Sequence, residues 1–138
     1  MKKLLFIIAI LAATSVTVSA QYKIIVNNSN SVSSLSKTEI SKMLLQKTRK
    51  WNNGQTVEPV DLTSKSELRK AFTDDVHGKS VNAIKSYWQQ YVFAGKGTPP
   101  PEKSSDAEVI EYVQSHTGAI GYVSSDTNAS GVKVISIN

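Results

Sequence analysis

Serine followed three residues later by glutamate occurs at Ser36/Glu39, Ser64/Glu67 and Ser105/Glu108, and each pair opens a run whose apolar residues recur every three or four positions. A hydroxyl that accepts from the third amide of a helix, while the glutamate reaches back to the cap, satisfies two otherwise orphaned donors, so this spacing predicts helix starts. Before, between and after these starts lie short β-branched runs: Tyr22 to Val26, Val57 to Leu62, Ala119 to Val123 and Val132 to Ile137. Strand and helix patterns therefore alternate, and the predicted class is α/β with helices packed on a mixed sheet.

Along the chain, Tyr22–Val26 ends in the polar turn Asn27-Asn28-Ser29-Asn30, and a helix capped by Ser36 carries Ile40, Met43 and Leu44 inward through about Gln46. Asn52-Asn53-Gly54 marks a turn before the strand from Val57, which Pro59 interrupts. The Ser64/Glu67 box predicts a helix with Leu68, Ala71, Phe72 and Val76 on its apolar face and Gly78 as terminator. Ser80 caps a further helix with the stripe Val81, Ile84, Trp88, Tyr91 and Val92, followed by Gly95-Lys96-Gly97 and Pro99-Pro100-Pro101, an extended loop. Ser105 opens the last helix, with Val109, Ile110 and Val113. The predicted core contacts of the helices are Ile40, Leu44, Leu68, Phe72, Ile84, Trp88, Ile110 and Val113.

Lys2-Lys3, the ten-residue apolar run Leu4 to Ala13 and the small residues Val18-Ser19-Ala20 have the layout of a secretory signal peptide cleaved after Ala20. The run is half what a membrane span needs, about 20 residues. The expected organisation is thus a signal peptide at 1–20 and one domain at 21–138, periplasmic or secreted, with no membrane span after cleavage. That domain has 118 residues, of which 41 are apolar, enough for one core, and the absence of cysteine excludes disulfides, thiolate metal sites and cysteine nucleophiles. Removing Lys2 and Lys3 leaves 14 basic against 11 acidic residues, a net +3 too mild and too evenly spread for a nucleic-acid partner.

Catalytic patterns are missing. No Gly-x-Ser-x-Gly elbow is present, and Gly95-x-Gly97 leads into prolines rather than a phosphate-binding helix. Asp74, Asp75 and His77 diverge around a helix end and read as a polar terminus, so no metal, no cofactor and no enzymatic activity are expected. The segment Thr63-Ser64-Lys65-Ser66-Glu67-Leu68-Arg69 concentrates three hydroxyls, a lysine and an arginine at one helix start, which serves either simple capping or a small anion.

Leu35-Ser36-Lys37-Thr38-Glu39-Ile40 leading to Lys50-Trp51-Asn52-Asn53-Gly54, then Ser66 to Phe72, then Gly118-Ala119-Ile120-Gly121-Tyr122-Val123, resembles the periplasmic phosphate-binding proteins of bacterial ABC uptake systems, and more closely their short, exported, single-lobe relatives. The resemblance implies a single lobe of the type 2 periplasmic-binding-protein fold, with the ligand held by helix N-termini and hydroxyls. Ser66 matches the family's serine, whereas Glu67 and Leu68 replace a Gly-Thr pair and Leu62 stands where an arginine is expected.

The resulting expectation is a solute-binding-like protein that takes phosphate or another small oxyanion through Thr63, Ser64, Ser66 and Arg69, with an ABC permease as partner. The competing one is a cell-envelope interaction module that kept the lobe and lost the ligand, using Tyr87, Trp88 and Tyr91, with Trp88 itself expected in the core. Either way the protein is expected as a monomer or homodimer. Lys42, Lys47, Arg49 and Lys50 are read as a solvated face.

Overall fold

Tyr22–Val26 (β1) is apolar on both faces, with Tyr22, Ile24, Ile25 and Val26 all buried, as suits a central strand. A computed structural model describes residues 21–138, and the signal peptide expected at 1–20 lies outside them. In it β1 runs antiparallel to both neighbours, Ala119–Ser124 (β6) and Lys133–Ile137 (β7). Ser34–Leu35 (β2) adds parallel to β7 and Glu58–Pro59 (β3) parallel to β6, giving the order β2-β7-β1-β6-β3. The sheet is mixed and the class α/β.

The run from Val57 to Leu62 does not stay in this sheet. Glu58 and Val60 donate their N–H groups to Gly118 O and Ile120 O of the β6 side, at 2.9 and 3.0 Å. Because successive amides point to opposite edges, the missing donor of Pro59 falls on the edge away from β6, where it costs no ladder bond. From Asp61 the chain turns to a different partner: Asp61–Leu62 (β4) pairs in parallel with Glu102–Lys103 (β5). The expected strand Val57–Leu62 is therefore two short ones, and the segment after the prolines contributes a strand that its composition does not announce.

Ser36 and Glu39 form a complete capping box on Lys37–Leu44 (α1). The second box does not form. Ser66 N–H donates to Thr63 O at 3.0 Å, a turn that moves the cap from Ser64 to Ser66, and Glu67–Phe72 (α2) begins there. The inward face moves with it: Arg69, Phe72, Thr73 and Val76 are buried, while Leu68 packs at the margin. The helix then widens into a π-helical turn over Thr73–His77 and stops at Gly78, whose φ of 63° supplies the left-handed exit. Ser80 caps Val81–Phe93 (α3) and Ser105 caps Asp106–Ser115 (α4), although Glu108 reaches back to Ser104 rather than to the cap.

α4 lays Val109 and Val113 on the sheet beside β6. There Gly121 permits the contact, since an added Cβ would sit 3.0 Å from Val109 Cγ1 and 2.7 Å from Val60 Cγ1. Gly118 permits another: its position lies against Thr56 O, and its own carbonyl accepts from Trp51 Nε1 at 2.9 Å. The Trp-x-x-Gly and Gly-Ala-Ile-Gly-Tyr-Val segments thus meet in space. α3 departs from expectation. Its Ile84, Trp88 and Tyr91 do not pack on the sheet but form a second cluster with Leu45 at the end of α1.

Candidate functional site

Thr63 to Ser66 is the turn that joins β4 to α2. Thr63 N–H is tied to Lys103 O at 3.0 Å, and Ser66 Oγ accepts from Arg69 N at 3.2 Å, so both are engaged in holding the turn. Arg69 points inward and is only 2% exposed. Its Nη1 donates to Leu62 O at 2.8 Å and to Glu102 Oε1 at 3.2 Å, while Nε faces Asp61 Oδ1 at 3.4 Å without a hydrogen bond. Asp61 also accepts from the Tyr122 hydroxyl and from Leu62 N. Burial pushes the Asp61 carboxyl above the ordinary carboxylate range, against the lowering pull of Arg69 and of these two donors. The same burial, with Asp61 beside it, raises the Tyr122 phenol.

Ser64 borders a cleft of about 360 Å³ between the starts of α2 and α3. Lys70, Lys79 and Lys85 line it with Ser80 and Asn82, opposed by Asp74 alone among acidic residues. α3 has no acidic residue in its first turn, so the partial positive charge of its thirteen-residue body is not neutralised there. Lys70 is shared with Glu67 at 2.9 Å. Of the four residues singled out by sequence, Ser64 alone lines this cleft; Thr63 and Ser66 hold the turn and Arg69 lies beneath it. Lys79, Ser80 and Lys85 were not singled out. The available signal was the Ser80 cap of a helix whose N3 position, Ala83, is not glutamate and whose flanking residues include Lys79 and Lys85.

A second, apolar groove of about 490 Å³ opens along the other half of α3, walled by Trp88, Val92, Phe93 and Pro99 and bordered by Lys85, Gln89, Arg69 and Glu102. Trp88 is buried, as expected. Val92, placed on the apolar stripe by its spacing, is half exposed, and Phe93 is 96% exposed. Tyr87 donates to Leu45 O at 2.7 Å. Lys42, Lys47, Arg49 and Lys50 are exposed, as expected of a solvated face, and two of them also reach aromatic rings: Lys47 lies 5.7 Å from the Tyr87 ring centre, and the Arg49 guanidinium, 5.8 Å from that of Tyr91, donates to the Tyr91 hydroxyl and to Lys96 O.

Asp75 accepts from Lys37 at 2.8 Å and from the Tyr22 hydroxyl at 2.6 Å, which hold it below the ordinary carboxylate range. His77 Nδ1 lies 2.7 Å from Ser41 Oγ. Burial, then the charges of Arg69, Lys79 and Lys47, push His77 down to about 4, making it a weak base. Ser41 lies in the body of α1, where amide N–H groups are committed to the helix and none is free to stabilise an oxyanion. Among the described residues no group of three His, Asp or Glu is placed to hold a metal ion.

No family model and no curated protein matches this chain. Solved structures do. The chain superposes on an ABC-type phosphate transport receptor from Vibrio cholerae with a TM-score of 0.68 at 18% identity, covering 85% of this chain and 46% of that one. It superposes equally on PstS from Borrelia burgdorferi, TM-score 0.68 at 16% identity, covering 86% of this chain and 47% of that one. The fold is that of one lobe of a periplasmic phosphate-binding protein. The chain spans less than half the length of either structure. Among the described residues no helix is long and apolar enough to cross a membrane.

Proposed function

We propose that this protein is an exported, periplasmic solute-binding-like lobe that takes phosphate or a related small oxyanion in the cleft between α2 and α3, with an ABC permease or another envelope protein as partner. The observation that carries the reading is the convergence of Lys70, Lys79 and Lys85 with the Ser64 hydroxyl at the Ser80-capped start of α3, whose first turn has no acidic residue. Backbone amides, ammonium groups and hydroxyls are the donors a tetrahedral oxyanion needs, and the helix field adds to them. The turn Thr63–Ser66 contributes by placing Ser64 at the cleft, and the buried Arg69 by fixing α2 against β4.

The reading is tested by thermal unfolding of the purified protein with and without millimolar phosphate and sulfate at fixed ionic strength. Phosphate at 100 times its dissociation constant adds about 2.7 kcal/mol and raises the midpoint by roughly 10 °C. Lys79→Gln with Lys85→Gln removes that shift and leaves the midpoint without phosphate within a degree or two. No shift for any anion sinks the reading.

A further inference from the structure

The two clefts share Lys85, and the geometry of α3 explains why. Positions 82, 85, 89 and 92 recur at spacings of three and four and so lie on one helix face. Asn82 belongs to the basic cleft, Gln89 and Val92 to the apolar groove, and Lys85 borders both. The clefts are therefore one continuous track along α3, cationic at the N-terminal end and apolar at the other. From position 82 to position 88 the helix rises roughly 9 Å.

Resting on the oxyanion reading above, we propose that the solute is an amphipathic phosphate monoester, with its head among Lys70, Lys79 and Lys85 and its apolar body against Trp88, Val92 and Phe93. Both volumes, about 360 and 490 Å³, lie in the range of small-molecule sites. A fully exposed phenylalanine next to a half-exposed valine, beside a tryptophan-walled groove, is apolar surface that a free anion leaves uncovered. The charge pattern fits one head and not two. α3 bears no acidic residue from Val81 to Phe93, while at the far end Arg69 is already matched by Glu102 at 3.2 Å, so a second anionic group there meets no spare cation.

The test is titration calorimetry with inorganic phosphate and with octyl phosphate below its micelle concentration. Octyl phosphate binds on the order of tenfold tighter or more than phosphate, because its methylenes leave water. Phe93→Ser with Val92→Ser removes that gain and leaves the phosphate affinity unchanged. Equal affinities for both compounds overturn the monoester assignment and leave the oxyanion site standing. Binding of neither overturns both readings. Binding to phosphatidic acid vesicles without binding of octyl phosphate also overturns it, in favour of a membrane surface.

Discussion

The rings of Phe72 and Tyr122 stack face to face, 3.7 Å between centroids and within 4° of parallel. Phe72 is fully buried and also meets the edge of Tyr22. It joins α2 to the central strands of the sheet. Phe72→Ala is expected to cost about 3–5 kcal/mol. Urea unfolding reads this as a lower midpoint, and a loss below about 1 kcal/mol contradicts the placement.

Arg69 and Asp61 form a pair with side chains only 3% and 10% exposed. Arg69→Met leaves Asp61 buried against Tyr122 without its cation and should cost about 3–5 kcal/mol. Asp61→Asn together with Arg69→Met should recover a large part of that loss, since no buried charge is then stranded. Additive losses in the double-mutant cycle would show that the two side chains are not coupled.

His77 links stability to pH. The unfolded chain takes up the imidazole proton near its ordinary value of 6.5, whereas the folded chain refuses it until about 4. Between those values the unfolded state binds more protons, so stability rises with pH. The contribution is complete above about pH 7 and is lost as pH falls toward 4, up to about 3 kcal/mol. His77→Gln should flatten the slope of stability against pH over that window. A titration of the His77 ring by NMR that centres near 6.5 would contradict the assignment.

Ser64 and Ser66 separate two roles that adjacent hydroxyls of one turn share in the sequence. Ser66→Ala loses the cap of α2 and should cost about 1 kcal/mol of stability with little change in phosphate affinity. Ser64→Ala should leave stability unchanged and weaken phosphate binding about three- to tenfold, the worth of one hydrogen bond. The reverse pattern would place the anion at the α2 start instead of the α2–α3 cleft.

Much of this architecture is written in local chemistry. β1, β6 and β7 are apolar runs bounded by turn residues, and α1, α3 and α4 start at the serines that cap them. What local chemistry does not carry is competition between neighbours. Ser64 and Ser66 are equally good caps, and a backbone turn to Thr63 decides between them. Leu68 is more apolar than Arg69, yet Arg69 is buried because Leu62 O, Asp61 and Glu102 come from elsewhere in the chain to meet it. β5 consists of Glu102 and Lys103, whose pairing depends on where β4 has been carried. The candidate site is less legible for the same reason: Ser64 and Lys79 lie on either side of α2 and its π-helical turn, and line one cleft only after the left-handed exit at Gly78. Trp51 and Gly118 mark the opposite case, two recognisable segments whose significance is the single hydrogen bond between them.

The first strand of the described fold, β1, pairs only with β6 and β7, the last two. Its ladder cannot begin until a loop of roughly a hundred residues has closed, an arrangement that makes folding slow compared with that of a helical bundle. During synthesis the central strand emerges early and waits for partners that emerge last. The polypeptide therefore remains threadable for most of its synthesis, which is the condition that the translocation channel of the proposed export route requires.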